Sequence, residues 1–375
     1  MINQSRLIRL TQKLIRFNSE NPPGNEYQIA RFIEKDMRSL GLQVKIYTFA
    51  FRRPNVIATL KGLGRNESVL LTPHIDTVPA GTGWKFNPWG GVVRGGRIYG
   101  RGTSDDKGNL ASCMEVVRSL VEDRARLKKD VIFAATADEE TGSHHGIIPL
   151  LRKNILRPSV ALVMDSDECD TIVAQKGLIH FRIKVFGKKA HGAYNWRGVN
   201  AIEQAAQIIE KLKKHKFKFK RHPLLRPPTL NIGTVKGGDK VNIVADFCEF
   251  SVDTRYLPGT NPKAVLKDVE KIIRSVTSKF KIIVDDLQHP YEINPKHPMV
   301  DTYLKAAKRM KIKARLKGSE GATVITFFQD KRIPAVATGY GTHGVAHTTD
   351  EYIKIDTLYR GTKLLEQFIK DYDKL

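Results

Sequence analysis

Residues 69–77, Val69-Leu-Leu-Thr-Pro-His-Ile-Asp-Thr77, carry the strongest chemical signal in this sequence. The first three residues of this stretch are aliphatic and form the kind of short apolar run that makes a buried strand. The run leads into His74 and Asp76, and turn-forming residues follow. Residues two apart on an extended chain point to the same side, so these two side chains emerge together. Open α/β sheets bind ligands at the carboxyl ends of their strands.

His74 is therefore a candidate metal ligand, because a neutral imidazole suits zinc and similar divalent ions. Asp76 could orient that imidazole as a nearby carboxylate. A surface histidine followed by a turn-forming aspartate would give the same pattern, since His-x-Asp is common. The rest of the chain has to decide between the two interpretations.

The length and composition indicate a globular protein with two domains. The chain has 375 residues, of which 41% are hydrophobic and 27% charged, and such a length usually exceeds a single core. No apolar run approaches the roughly 20 residues that span a bilayer, and the N-terminus lacks the pattern of a signal peptide. The three cysteines are widely spaced, which favours neither a disulfide framework nor a Cys-x-x-Cys zinc site. We expect a cytoplasmic protein without a membrane partner.

The formal net charge of +24 needs an explanation of its own. Lysine is densest in the run KLKKHKFKFKR at 211–221. Such a run could bind nucleic acid, but no helix-turn-helix, RRM or zinc-finger pattern accompanies it. A solvated helix end leading into a loop accounts for it better, so we expect no nucleic-acid partner. Attraction for an anionic substrate or an acidic protein is a further alternative.

Up to Gly177 the chain alternates apolar runs with helical patterns, as α/β sheet proteins do. Three runs end in side chains that bind metals: the run before His74, a strand at 130–136 before Glu139 and Glu140, and Val160–Met164 before Asp165. The segment 100–108 carries Asp105 and opens a helix. After Gly177, strands at 178–186, 229–236, 246–255 and 279–286 and helices at 199–214 and 262–277 follow the β-α-β-β-α-β order of a ferredoxin-like unit.

The candidate ligands are His74, Asp105, Glu139, Glu140, Asp165 and His347. A centre with two divalent ions uses a bridging carboxylate and further histidine and carboxylate ligands, and it turns water into a nucleophile at neutral pH. A carboxylate that binds no metal can then act as the general base. Spacing alone does not show that these side chains converge.

Each candidate also has a purely structural interpretation. Asp105 precedes a helix and could be its N-cap, although Asp106 fits an ordinary cap better. The Glu139-Glu140 pair could be a solvated acidic loop. A neighbouring acid could take the place of Asp165 after a shift of register.

Four runs resemble, in order, the signatures of the M20 metallopeptidase family: PHIDTVPAG (73–81), GRGTSDDKG (100–108), ADEETGS (137–143) and AHTTDEY (346–352). That family includes acetylornithine deacetylases, succinyl-diaminopimelate desuccinylases, aminoacylases and glutamate carboxypeptidases. The resemblance implies a zinc-peptidase-like α/β/α catalytic domain with an inserted ferredoxin-like lid or dimerisation domain. It divides the chain into a first catalytic part at 1–177, the lid at 178–289 and a second catalytic part at 290–375.

The same resemblance implies the ligand set. His74 and Asp165 would bind one metal ion, Glu140 and His347 would bind the second, and Asp105 would bridge the two.

The remaining roles also come from the resemblance. Glu139 matches the general base, and Asp76 matches the carboxylate that orients a metal-binding histidine. His191 resembles the lid histidine that stabilises the oxyanion, often across a dimer, although it could be a plain surface histidine. Asn242 and Arg255 match lid positions that hold a substrate carboxylate.

The sequence thus predicts a metal-dependent hydrolase that cleaves the amide bond of a small N-acyl amino acid, of the acetylornithine or succinyl-diaminopimelate deacylase type. It would use two divalent ions, zinc or in its place cobalt or manganese, and form a homodimer through the lid. A carboxypeptidase or dipeptidase of the same family, acting on a short peptide, is the alternative within the class. A basic binding protein on a hydrolase scaffold is the alternative from another class.

Overall fold

The computed structural model describes residues 1–64 and 67–375, and the following elements lie within them. The strands are β1 (Gln43–Thr48), β2 (Pro54–Leu60), β3 (Ser68–Thr72), β4 (Val92–Arg94), β5 (Arg97–Tyr99), β6 (Asp130–Ala135), β7 (Val160–Met164), β8 (Thr171–Gln175), β9 (Gly177–Phe186), β10 (Thr229–Gly237), β11 (Phe247–Tyr256), β12 (Phe280–Gln288), β13 (Tyr291–Glu292), β14 (Leu316–Ser319), β15 (Ala335–Thr338) and β16 (Tyr352–Lys354). The α-helices are α1 (Gln4–Ile15), α2 (Tyr27–Ser39), α3 (Lys107–Glu122), α4 (Ile147–Arg152), α5 (Ala201–Lys214), α6 (Pro262–Arg274), α7 (Pro298–Arg309), α8 (Ile325–Gln329) and α9 (Ile355–Tyr372).

The chain forms two compact units. The first comprises Met1–Val173, Ile293–Lys317 and Thr323–Leu375, and the second comprises Ala174–Glu292 and Gly318–Ala322. No helix within 1–64 and 67–375 is long and apolar enough to cross a membrane.

A large mixed sheet organises the first unit, with strands in the order β1-β2-β6-β3-β7-β15-β8. The four strands β6, β3, β7 and β15 run parallel to their neighbours in this group. Strand β3 is buried along Val69, Leu70 and Leu71, which explains its continuous apolar run. Helix α3 packs against α1 and α9. The mixed α/β fold class is therefore confirmed.

Parallel pairing places the carboxyl ends of β3, β6, β7 and β15 at the same edge of this sheet. The segments that follow these strands begin near His74, Asp138, Asp165 and Gly339. A small sheet in the order β16-β5-β4 holds a further pair of loops together. In it Ile98 pairs with Ile353, and the N–H of Gly100 donates to the carbonyl oxygen of Glu351 at 2.9 Å. The loop before Asp105 thus lies beside the loop that carries His347.

The second unit contains an antiparallel sheet in the order β10-β11-β9-β12. Along the chain its elements run β9-α5-β10-β11-α6-β12, which is the ferredoxin-like order. Side chains alternate along β9, so Phe181, Ile183 and Val185 enter a core shared with α5 and α6. Asn200 and Asn261 cap the two helices by accepting backbone N–H bonds, as N-cap residues do.

Candidate metal centre

Three side chains from separate segments of the first unit converge at the carboxyl edge of the sheet: His74, Asp105 and Glu140. Each offers one ligand atom, and these atoms lie within 4.8 Å of one another. His74 follows β3, Asp105 precedes α3, and Glu140 lies in the 3-10 turn Glu139–Thr141 after β6. Such a group could hold a metal ion.

The two carboxylate oxygens of Asp105 face two different histidines. Its Oδ1 lies 2.8 Å from Nε2 of His74, and its Oδ2 lies 3.1 Å from Nε2 of His347. The same nitrogen of His347 is 3.2 Å from Oε2 of Glu140. Each carboxylate oxygen of Asp105 thus has an imidazole partner of its own.

The electrostatics of the two histidines show that this site attracts positive charge. Burial lowers the pKa of His74, but hydrogen bonds to Asp105 and Asp76 outweigh burial and leave that pKa well above its ordinary value. Hydrogen bonds to Asp105 and Glu140 raise the pKa of His347 to about 10. Burial opposes ionisation of Asp105, yet the two histidines hold its pKa below the usual range.

The other carboxyl groups lack such compensation. Burial, together with the charge of Asp105, raises the pKa of Asp165 to about 7. Burial and the charge of Asp165 hold the pKa of Glu139 well above its usual range. Clustered carboxylates of this kind become stable as anions next to a dication. Imidazole and carboxylate ligands suit zinc, and manganese and cobalt also accept them. The residues therefore fit a divalent metal.

The acids near Asp165 have partners of their own. Asp167 Oδ2 lies 3.3 Å from Nδ1 of His343, and Glu168 Oε1 lies 3.5 Å from Nζ of Lys354. The charge of Asp165 acts on Glu139. The placement supports Asp165 over its neighbours as a ligand candidate.

Asp76 is fully buried and connects His74 to the two glutamates. Nδ1 of His74 lies 3.0 Å from the backbone oxygen of Asp76 and 3.4 Å from its Oδ1. The backbone N–H groups of Glu139 and Glu140 donate to the two carboxylate oxygens of Asp76, each at 3.1 Å. Asn21 Nδ2 donates a further bond of 2.8 Å. Asp76 thus orients the imidazole and fixes the turn that carries Glu139.

Asp106 lies at the expected cap position of the helix, but its side chain bonds another segment of the chain. It occupies the N-cap position of α3, but its side chain makes no capping hydrogen bond. Instead its Oδ2 accepts the backbone N–H of His74 at 2.9 Å, and Nδ2 of Asn109 donates to its Oδ1 at 2.7 Å. The side chain is fully buried, and its bond satisfies the buried N–H of His74.

Sequence reasoning missed Glu351, a fully buried carboxylate. Arg101 Nη1 donates to it at 2.7 Å. The backbone N–H groups of Gly102, Ser104 and Asp105 donate at 3.1, 2.8 and 3.1 Å. Glu351 therefore ties the loop of Asp105 to the loop of His347. The only signal was its place four residues after His347, since its partners are about 250 residues away along the chain.

The second unit carries the three site residues that the family resemblance predicts for the lid: His191, Asn242 and Arg255. His191 is exposed and precedes the 3-10 segment Gly192–Arg197, where its Nδ1 accepts the N–H of Ala193 at 3.1 Å. The backbone oxygen of Asn242 accepts the N–H of Gly192 at 2.8 Å, so His191 and Asn242 are neighbours. Arg255 lies on β11, where its Nε donates to Asp253 Oδ1 at 2.9 Å.

Comparison with known proteins agrees with this picture. The sequence model of "Peptidase family M20/M25/M40" matches residues 70–371. An acetylornithine deacetylase from Photorhabdus laumondii is 28% identical over 354 residues, which cover 90% of this chain and 88% of that protein. A tripeptidase structure from Staphylococcus aureus has a TM-score of 0.85 and 25% identity over 100% of both chains. An aminopeptidase structure from Bacillus cereus has a TM-score of 0.85 and 24% identity over 99% of both chains. Because the family match covers most of the chain and agrees with the predicted family, this protein belongs to peptidase family M20/M25/M40 and is a metal-dependent hydrolase.

Proposed function

We propose that the protein hydrolyses the amide bond of small N-acyl amino acids at a centre of two divalent metal ions. The observation that carries this proposal is Asp105, whose two carboxylate oxygens each face a different imidazole. His74 and Asp165 would hold one ion, and Glu140 and His347 would hold the other. Zinc is the ion that we propose, and cobalt or manganese could take its place.

Glu139 is the proposed general base. When bound, two divalent cations lower the pKa of a water molecule and polarise the amide carbonyl. Glu140 is engaged by His347, whereas the carboxylate of Glu139 has no hydrogen bond or ion pair to any residue in 1–64 or 67–375. Glu139 accepts a proton from the attacking water and delivers it to the leaving nitrogen. The carboxylate of Asp76 fixes the backbone of Glu139 by accepting the N–H of Glu139.

His191 is the proposed oxyanion donor. Because its Nδ1 accepts a backbone N–H, the neutral ring carries its proton on Nε2, which leaves Nε2 as a hydrogen-bond donor. Such a donor stabilises the negative charge that develops on the carbonyl oxygen. Asn242 and Arg255 would bind the substrate carboxylate, for which a guanidinium offers a bidentate fit.

We further propose that the segment 178–289 acts as a lid and that two chains associate through it. Supporting this are large apolar side chains exposed on the second unit: Trp196 is 72% exposed, Tyr194 50% and Ile202 41%. They are close along the chain, because Tyr194 and Trp196 lie in the 3-10 segment Gly192–Arg197 and Ile202 lies in the first turn of α5. Exposed apolar groups of this size are typical of protein interfaces.

Peptide hydrolysis is the second candidate activity. The tripeptidase from Staphylococcus aureus matches the full length of this chain at 25% identity. The same residues would cleave a peptide bond by the same proton transfers, so the two candidates differ only in the substrate groups that the protein accepts.

A hydrolysis panel distinguishes the two. N-acetyl and N-succinyl amino acids, dipeptides and tripeptides are incubated with the protein and added zinc, cobalt or manganese, and the released amine is quantified. We expect the N-acyl amino acids to be cleaved fastest. Faster cleavage of the peptides would replace the first proposal with the second.

A substitution tests the general base directly. Glu139→Gln should lower kcat by about 10²–10⁴-fold, the usual contribution of a positioned general base, while metal content measured by atomic absorption is unchanged. Glu168→Gln is the matched control, because Glu168 pairs with Lys354. Near-wild-type turnover by Glu139→Gln would show that another group takes the proton.

A further inference from the structure

The basic run 211–221 lies on the second unit, where α5 ends and the chain continues without helix or strand to β10. Lys214 pairs with Glu210 at 2.5 Å. Six other cations of the run are exposed and form no ion pair within 1–64 and 67–375: Lys211, Lys213, Lys216, Lys218, Lys220 and Arg221. Unpaired cations at this density attract a polyanion.

Phenylalanines alternate with these lysines. Phe217 packs against the apolar core of the second unit, and its ring meets the ring of His215 edge-on at 4.7 Å. Phe219 is 40% exposed. The run therefore presents aromatic rings directly beside unpaired positive charges.

A cavity of about 380 Å³ lies between the run and the start of β10. Its lining combines Lys213 and Lys216 with Phe217, Phe219 and Pro228. Ligand pockets of roughly this size take a flat, largely apolar group with a few polar contacts at the rim. The rim here is cationic, so the matching ligand has a flat ring joined to an anion.

We propose that this surface binds single-stranded nucleic acid, with phosphates on the unpaired cations and bases against Phe217 and Phe219. Proteins that bind single strands combine a positively charged groove with aromatic side chains on which bases stack. Duplex DNA is read by a helix or ribbon placed in the major groove, whereas the run after Lys214 forms neither a helix nor a strand. An acidic protein would use the charges but would leave the aromatic cavity unused. No known nucleic-acid motif accompanies the run, and the cavity beside it is the observation that favours a nucleic-acid partner over none.

Charge removal tests the phosphate contacts. The variant Lys213→Gln/Lys216→Gln/Lys218→Gln/Lys220→Gln is compared with the wild type by fluorescence anisotropy of a labelled oligothymidylate of about 12 nucleotides, a length within the range of one binding site. Across a salt series, the slope of log affinity against log salt should decrease in magnitude by about 0.7 per removed charge, or about 3 in total.

The matched control removes the same charge elsewhere. Lys45, Lys153, Lys296 and Lys308 are exposed, belong to the first unit and form no ion pair within 1–64 and 67–375. Their conversion to Gln should leave the slope close to that of the wild type. An equal decrease in both variants would show that net charge alone is responsible, and the proposed surface would be rejected.

A second variant tests stacking. Phe219→Ala should weaken binding about fivefold or more at fixed salt without a change of slope, because stacking is independent of ion release. The melting temperature and the hydrolytic rate of each variant should match those of the wild type. Unchanged affinity of Phe219→Ala, or equally tight binding of a duplex or of polyglutamate, would overturn the proposal.

Discussion

The carboxylate of Glu351 accepts four hydrogen bonds, three of them from the backbone N–H groups of Gly102, Ser104 and Asp105. A glutamine keeps one acceptor oxygen and turns an NH₂ group toward these donors. Residues that orient metal ligands typically contribute 10–100-fold to metal affinity, so we predict a loss of about that size for Glu351→Gln. Titration of the metal-free protein with Co²⁺, followed by absorbance, measures it.

Arg101 provides the control for this prediction. It is almost fully buried with Glu351, and an unpaired buried charge costs about 3–5 kcal/mol. Without metal, the double variant Arg101→Gln/Glu351→Gln should therefore have a higher melting temperature than Glu351→Gln alone. Its Co²⁺ affinity should stay as low as that of Glu351→Gln. Wild-type Co²⁺ affinity in Glu351→Gln would show that the loop of Asp105 does not depend on this carboxylate.

His191 allows a prediction about charge stabilisation. Loss of one oxyanion donor lowers kcat by about 10²–10³-fold. We therefore expect the kcat of His191→Ala to be lower than that of the wild type by that factor. His191→Gln should recover part of the rate, because the glutamine amide can place an N–H donor near the position of Nε2. Steady-state kinetics on the preferred substrate measure kcat for both variants and for the wild type. Equal rates for both variants and the wild type would place His191 outside the reaction.

The candidate metal ligands stand in recognisable runs of the sequence, and both their ligand character and their assigned roles stay predictions. Sequence reasoning could not find Glu351 or the bond from Asp106 to His74, because both depend on which backbone N–H groups become buried beside a carboxylate. Which N–H groups these are is determined only when segments far apart along the chain pack together.

Long periodic helices and strands were predicted to within a few residues, as α5 and β11 illustrate. Strand β8 was missed because its five buried residues show no alternation and only Lys176 separates it from β9. The short helices α4 and α8 were missed for a related reason, since six and five residues give too few turns for a pattern.

Helix α9 supports a prediction about packing. Gly361 is a buried position of this helix, and a Cβ there would meet the ring of Tyr340. In an exposed helix Gly→Ala stabilises by about 1 kcal/mol, but overpacking a core costs about 1–3 kcal/mol. Gly361→Ala should therefore lower the melting temperature. The decrease should be smaller in a Tyr340→Leu background, and an identical decrease in both backgrounds would exclude this contact as the cause.

For the whole molecule, metal removal should lower stability. Four carboxyl groups, Asp105, Glu139, Glu140 and Asp165, repel one another at the proposed centre. Metal at about 100 times its Kd stabilises the folded state by about 2.7 kcal/mol. We expect chelation to lower the melting temperature and zinc to restore it, with magnesium less effective because it prefers oxygen ligands. A melting temperature that is the same with and without bound metal would contradict the proposed centre.

The fold class and the family were predictable because four motifs occur in order along one chain. The lid boundaries at 178 and 289, the homodimer and the substrate stay predictions, since they depend on surfaces whose partners are other molecules. Limited proteolysis and the mass of the protein in solution would test the first two.

The position of β15 in the large sheet also has a consequence for folding during synthesis. Strand β15 pairs with both β7 and β8, but it begins about 170 residues after β7 ends. At a synthesis rate of roughly 5–20 residues per second, the gap between β7 and β8 stays open for about 10–30 s. Unpaired strand edges promote aggregation, so the nascent chain on the ribosome needs shielding until β15 emerges, when about nine-tenths of the chain has been made.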